Sequence, residues 1–492
     1  MGRIGKQLFW IYVLTFIGSI FSYLIRILYS RKLTVQEYGL FYAVFSFVFF
    51  FWPIRDLGLT QATIYYINKY FATGKTKLIK TIILIGLVPQ FVLGLIISAG
   101  LFLMRNFLVT YYFKDANAAP LMTVLLIYFA VHTFLPTIFN LFAISKNYIL
   151  MQLFSPLEKI LIFIFSLIFF QIGYGYLTPA LAYTGSFVIL FFIFGYIFLK
   201  KFDSFFKEKF HFDKKLIKKI FLYGLPLLFS MTANHLLAYS DVLILTKLTS
   251  IKDVGYYNIA IPCMNLILIF IYPIQSLLFP IISREWHQKH KKNITNLLNF
   301  LYNNVLFFVL PLALIFITFP EAVIGYLFDP KYLPNSIAPL RVLAGFFIFQ
   351  VVRMIGFSTV AGLGMPKEQS KIILVGGVIN IALDLILIPY FHLAGAAIAT
   401  GVGHLTMALL TLRIIRTKIE YKIRIKEQLK IFAAGIIMLL SMILLKQKLI
   451  MAEIPKIIVI IGCAGLIYLA TLFILKFLTK DKLIEGKKLL DL

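Results

Sequence analysis

The sequence predicts an all-α polytopic membrane protein with fourteen transmembrane helices. Three observations carry that reading. Apolar runs recur from one end of the chain to the other, each near the roughly 20 residues that carry a helix across a 30 Å hydrocarbon core. Hydrophobic residues are 61% of the 492, and mean hydropathy is +0.92, a composition that excludes a water-soluble fold. The lysines and arginines fall between the runs in strict alternation.

The runs occupy 8–28, 38–66, 79–103, 120–143, 152–172, 176–199, 219–246, 255–282, 298–319, 336–360, 370–389, 393–414, 429–446 and 457–476. The first follows Arg3 and Lys6 as a signal peptide would. No small-residue cleavage site follows it, so it is expected to be a retained helix. The second is long, and Gly224 with Pro226 is expected to interrupt the seventh. Prolines within runs (Pro53, Pro89, Pro136, Pro262, Pro273, Pro311) predict kinks whose freed carbonyls need protein or water partners. No connecting loop is long enough for a folded soluble domain.

Charge sets the orientation. The N-terminus, the loops after even-numbered runs and the C-terminus together hold 33 Lys and Arg, whereas the loops after odd-numbered runs hold 10. The positive-inside rule places both termini in the cytoplasm, as an even number of spans also requires. The net charge of +28 is spread over short loops rather than gathered in one basic domain, which argues against nucleic acid as a partner. Cys263 and Cys463 both lie in apolar runs and offer no disulfide framework or metal motif. No phosphate-binding loop and no catalytic constellation occurs, so the chain reads as neither an ATPase nor an enzyme, with no cofactor beyond a coupling ion.

An internal repeat gives the layout. KLTVQEYGLFYA at 32–43 returns as KLTSIKDVGYYNIA at 247–260, and LTPALAYTG at 177–185 returns as LAGAAIATG at 393–401. Gly39 and Gly255, Ala180 and Ala396, Thr184 and Thr400, and Gly185 and Gly401 all stand 216 apart. Six spans per repeat make two parallel halves, an arrangement found in transporters. The expected lobes are 1–200 and 219–415, joined by a basic cytoplasmic linker at 201–218. Residues 416–492 supply helices thirteen and fourteen and a cytoplasmic tail.

Two polar sets stand out from the apolar background. Arg26, Arg55 and Arg353, with Lys159 and Arg341, lie inside spans, where a charge costs on the order of 2.5–3.5 kcal/mol by insertion scales. They read as a cationic cavity for a phosphate or acidic group. The competing reading is ion pairing, Lys159 with Glu158 for example, or snorkelling of Arg26 and Arg341. Asn380 and Asp384 share a helix face at i, i+4. With Asp241 on span seven, and Thr400 and Ala396 on span twelve, they form an oxygen-only set suited to Na⁺, to a proton on either aspartate, or to a structural polar clasp. His132, His235 and His404 are each alone on their spans and read as helix contacts; REWHQKHKK at 284–292 reads as a basic loop.

ILYSRKLTVQEYGLFY at 27–42, DLGLTQA at 56–62, AYSDVLILTKLTSIKDVGYYNIA at 238–260, AGLGMPK at 361–367 and NIALDLILIPYFHLAGAAIATG at 380–401 occur in order along the chain. Together they resemble the polysaccharide transporters of the multidrug/oligosaccharidyl-lipid/polysaccharide (MOP) exporter superfamily, the family of lipid-linked oligosaccharide and O-antigen flippases. The resemblance implies a V-shaped, MATE-like bundle in the cell membrane. It implies ion-coupled alternating access that moves a polyprenyl-(pyro)phosphate-linked oligosaccharide to the outer leaflet. Arg26 and Arg55 sit in places similar to cavity arginines of lipid II flippases, but span eight lacks the arginine those proteins use there. Asp241, Asn380, Asp384 and Thr400 resemble their sodium site. The expected partners are the lipid-linked glycan, membrane lipids, and the polymerase or glycosyltransferases of the same glycan, with the chain itself a monomer. The alternatives are a cation-coupled multidrug exporter and a lipid II flippase.

Overall fold

The computed structural model describes residues 3–73, 78–135, 148–201 and 213–478. Pro136 and most of the linker lie outside them. The described residues are helical, with no strand among them. The chain packs as two units, residues 1–258 and 259–492.

The first unit contains α1 (Arg3–Lys32), α2 (Val35–Phe50), the short α3 (Trp52–Asp56) and α4 (Leu59–Ala72). It continues with α5 (Ile79–Leu103), α6 (Ala118–Val131), α7 (Tyr148–Ile172), α8 (Thr178–Lys201) and α9 (Lys214–Leu248), and ends in the first residues of α10 (Ile251–His287). Local chemistry sets several boundaries. Thr34 caps α2: its hydroxyl accepts from Glu37 N at 3.2 Å while Thr34 N donates to the Glu37 carboxylate at 2.8 Å. The same reciprocal box opens α10, where Asp253 N donates to Ser250 Oγ at 3.2 Å and Ser250 N to the Asp253 carboxylate at 3.2 Å. Each box satisfies two helix N-terminal amides that would otherwise lack partners. The two boxes stand 216 residues apart, the spacing of the repeat.

These helix starts also touch. A side chain on Gly39 would collide with the carbonyl of Ile251, and one on Gly255 with the carbonyl of Val35. Small residues at such a crossing let two membrane helices approach backbone to backbone. A second glycine crossing joins Gly58 to Gly224 on α9, where a Cβ on Gly224 would lie 2.9 Å from Leu57 O.

That crossing bears on two expectations. The run at 38–66 is not one helix, because Leu57 (φ 53°) and Gly58 (φ 72°) are both left-handed and separate α3 from α4. Gly supplies that conformation without steric penalty. Conversely, α9 runs unbroken through Gly224 and Pro226. Gly224 serves there as a contact with the α3–α4 joint rather than as a break.

The second unit holds the rest of α10, then α11 (Lys291–Thr318), α12 (Pro320–Leu327), α13 (Ile337–Gly362), α14 (Pro366–Arg416), α15 (Ile425–Lys448) and α16 (Glu453–Ile474). α14 is two arms, divided three residues after Pro389 at His392, whose φ of 47° and ψ of −124° are not helical. Glu285 closes the basic turn after α10 by accepting from Asn293 at 2.7 Å, with Arg284 at 3.1 Å and His290 at 3.3 Å. Asn293's amide, first among these, holds the Glu285 carboxyl below its ordinary range. Asn299 and Asn303 pin the strap between α14 and α15, accepting from Lys422 N and Arg424 N at 2.7 Å each. Leu306 and Leu314 of α11 then pack with Met438 and Met442 of α15 and Ala464 and Tyr468 of α16.

Eleven helices among the described residues are long and apolar enough to cross a bilayer, which makes this a multi-pass membrane protein. Their outward faces carry Phe192, Phe229, Leu466 and Ile474, all well exposed. Exposed apolar area on this scale suits contact with lipid tails rather than water.

Candidate functional site

In the first unit the polar side chains form one connected region. Arg55 is 1% exposed although fully charged in type. α3 is a single turn started by Pro53, and it aims the guanidinium inward. Nη1 donates to the carbonyl of Phe129 on α6, and the group lies 3.9 Å from the Trp52 ring centroid and 4.6 Å from that of Phe129. Gly94 on α5 makes the space: a Cβ there would sit 3.2 Å from Arg55 Cδ. A backbone acceptor and two aromatic faces replace much of the lost hydration of a buried guanidinium. Asp56 accepts from Thr60, whose hydroxyl also accepts from Gln90 Nε2 at 3.2 Å. A cavity of about 250 Å³ is lined by Trp52, Arg55, Asp56, Thr60, Gln61 and Gln90, among others.

On the other side of Trp52 lies His132, 5.0 Å from it ring to ring. His132 Nε2 is 3.9 Å from Glu158 Oε1, to which Tyr128 donates at 3.2 Å. Glu158 Oε2 accepts from Lys159 at 2.9 Å. The Lys159 ammonium lies 5.6 Å from the ring of Tyr183, and Arg26 on α1 stacks 4.9 Å from the ring of Tyr42. Arg26 and Arg55 therefore flank one Glu158–Lys159 pair. Arg26 forms no ion pair among the described residues, and its Nη1 is buried without a hydrogen-bond partner there.

The second unit holds Arg353 on α13. Its guanidinium lies 5.0 Å from the Phe357 ring, and Nε is buried with no hydrogen-bond partner among the described residues. Arg341 is held by Glu321 at 3.0 Å and by the Ile317 carbonyl at 3.1 Å. Asn380 and Asp384 are fully buried on the first arm of α14; Ala396 is buried and Thr400 half-buried on the second. A Cβ on Gly403 would lie 3.3 Å from Asn380 Cβ, so the arms pack closely there. A carboxylate, an amide, a hydroxyl and the Ala396 carbonyl are donors of the right chemistry for a hard monovalent cation. Asp241 belongs to the first unit, where one carboxylate oxygen accepts from Tyr257 at 2.7 Å.

Sequence reasoning singled out the arginines but missed the side chains that organise them. Tyr128, Trp52 and Gln90 had no signal beyond being polar or aromatic in an apolar run. The Glu158–Lys159 doublet was the one visible clue.

The long apolar helices and the charges buried among them are those of a multi-pass membrane protein. The family model for polysaccharide biosynthesis proteins matches residues 4–286, and the MatE family model matches residues 226–386. The chain belongs to the polysaccharide transporter family of the MOP superfamily. A membrane protein of Methanocaldococcus jannaschii is 30% identical over 457 residues, 90% of each chain. A Haloferax volcanii protein described as a probable low-salt glycan biosynthesis flippase is 24% identical over 189 residues, which cover 38% of this chain and 40% of that protein. The inward-closed structure of the lipid II flippase MurJ superposes with a TM-score of 0.75 at 16% identity, covering 94% of this chain and 97% of that one.

Proposed function

We propose that this chain flips a polyprenyl-(pyro)phosphate-linked oligosaccharide from the cytoplasmic to the outer leaflet of the cell membrane. The observation that carries the reading is the buried cationic character of each unit. Arg26 and Arg353 have no carboxylate partner among the described residues, and Arg55 is held beside a polar cavity. An unpaired guanidinium in a membrane protein is costly unless it faces water or an anionic ligand. A phosphate-linked glycan supplies that anion, and its lipid tail can remain in the bilayer. Family membership and the flippase description of the Haloferax relative support the same conclusion. The MatE match favours a second reading, cation-coupled drug export. The arginines speak against it, since they would repel cationic drugs.

The chain crosses the membrane fourteen times in this reading, with both termini cytoplasmic. This reading takes the two arms of α14 as separate spans and adds the 37-residue α10 and the shorter apolar α6 to the eleven. Cysteines introduced within 285–295 are expected to resist impermeant thiol reagents in intact cells. Ready labelling would reverse the orientation.

Translocation is expected to be coupled to Na⁺ held by Asn380, Asp384, Thr400 and the Ala396 carbonyl in the second unit. An ion drives alternation only through its different affinity for the two states. The test is flipping of a defined polyprenyl-linked sugar in proteoliposomes. Wild-type protein should flip it, and replacing Na⁺ by choline should slow it. Arg26→Glu, Arg55→Glu and Arg353→Glu should each abolish flipping, while Arg→Lys should be only partly tolerated because Lys lacks the bidentate fork. Full rates in all three Glu variants would reject the reading. Unchanged rates in choline, with loss on collapse of the proton gradient, would move the coupling to a proton.

A further inference from the structure

One exposed face of the first unit plays no part in the charge clusters. Gln61, Tyr65, Asn68 and Lys69 of α4 are all exposed. Their spacing puts them on one side of the helix. The opposite side is packed: Ala62, Thr63 and Ile67 are buried, and a Cβ on Gly86 of α5 would strike the Thr63 hydroxyl. Two amides and an ammonium in successive turns do not sit against hydrocarbon, which offers their hydrogen bonds no partner. This face of α4 therefore borders water. Gln61, near the start of α4, also lines the polar cavity beside Arg55 and Asp56, so the face continues from that cavity.

A pair of rings stands in this face. Tyr65 stacks on Tyr223 of α9, with centroids 4.5 Å apart and planes 11° from parallel. The crossing of Gly224 on Gly58 brings the α9 backbone to that point. Tyr66 closes the edge of the pair, its ring at 86° to that of Tyr65 and 75° to that of Tyr223. The Tyr66 hydroxyl in turn donates to the carbonyl of Lys219 at 3.4 Å. Two helices and a third ring thus fix the orientation of the pair. Yet Tyr65 is 43% exposed and Tyr223 38%. A tyrosine pair held in this way and left open presents a rigid, flat, apolar surface with polar groups at its rim.

We propose that Tyr65, Tyr223, Gln61 and Asn68 form a sugar-recognition surface that takes one pyranose ring of the translocated glycan. This rests on the flippase reading and concerns the part of the substrate that the arginines do not read. A pyranose has a C–H face that packs on an aromatic ring and a rim of hydroxyls that donate and accept. Gln61 and Asn68 stand one helical turn to either side of Tyr65. Each carboxamide offers that rim two donors and an acceptor. In the fourteen-span reading α4 ends on the cytoplasmic side, from which the substrate enters. The surface then meets the glycan before the glycan reaches the cavity at Arg55. Recognition here depends on the sugar, whereas a guanidinium contact with phosphate does not.

The test uses the full chain in nanodiscs, with farnesyl diphosphate and farnesyl-diphospho-N-acetylglucosamine as probes, read by calorimetry. Wild-type protein should bind the glycosylated probe about three- to tenfold more tightly, the scale of one aromatic contact. Tyr65→Leu keeps an apolar side chain and removes the flat face. It should abolish that difference by weakening the glycosylated probe alone. Tyr65→Phe should retain most of the difference, and Gln61→Ala and Asn68→Ala should each reduce it in part. The three substituted positions are exposed, so the variants should fold, and melting curves check this. A difference that survives in Tyr65→Leu, while flipping is lost in Arg55→Glu, overturns the sugar surface and leaves the flippase reading standing. Equal binding of the two probes by wild type also overturns the surface alone. Equal weakening of both probes in Tyr65→Leu overturns it too, and makes Tyr65 an interfacial anchor for lipid. A wild type that binds neither probe overturns the surface and the flippase reading together.

Discussion

Glu158→Gln is expected to destabilise the protein by about 3–5 kcal/mol, the scale of losing one partner of a buried ion pair. The substitution is nearly isosteric and keeps an acceptor for the Tyr128 hydroxyl, so it isolates charge. Lys159 would remain in the first unit beside Arg26 and Arg55 with its carboxylate gone. The double variant Glu158→Gln/Lys159→Met should recover most of the loss, because it removes the stranded charge as well. Reversible unfolding in mixed detergent, compared across the four members of the cycle, measures the coupling. A single-variant loss below about 1 kcal/mol, the surface-pair range, would show that water reaches the pair.

Gly39→Ala and Gly255→Ala are each expected to cost about 1–3 kcal/mol or more, the overpacking range. The obstacle at each position is a backbone carbonyl, of Ile251 and Val35, which cannot rotate aside as a side chain would. Both variants would be relieved by the same small separation of α2 from α10. The double variant should therefore cost less than the sum of the two. Gly100→Ala and Gly462→Ala are the controls: a Cβ at either meets nothing within 4 Å. They should be neutral or slightly stabilising, as expected for Gly→Ala within a helix. Equal effects at all four positions would remove the close crossing as the cause.

These cases show what the sequence could convey. Thr34 with Glu37 and Ser250 with Asp253 are local signals, three residues apart, and the structure uses them as helix caps. The division of α14 at His392 falls in the gap between the runs at 370–389 and 393–414. The break at Leu57–Gly58 was hidden, because the apolar run continues across it and a left-handed Leu has no compositional mark. Gly224 and Pro226 misled in the opposite direction: they look like a break, but Gly224 packs against the backbone of Leu57 and Gly58 inside a continuous helix. The partners of the buried charges were least visible. Arg55 finds its acceptor at Phe129, 74 residues away, and a backbone carbonyl leaves no trace in side-chain identity.

The contact between the two cap sequences also bears on ancestry. Gly39 meets Ile251 while Val35 meets Gly255, so each position touches the counterpart of the residue that touches it. Exchange of that kind is what a two-fold axis produces between identical subunits, the isologous interface of a homodimer. A half-length protein carrying this cap once would make the same contact with a second copy of itself. Duplication and fusion would then turn an interface between molecules into an interior packing contact. Assembly that once depended on concentration would become a matter of folding alone, and each half would be free to acquire its own charges, Arg26 and Arg55 in one and Arg353 in the other.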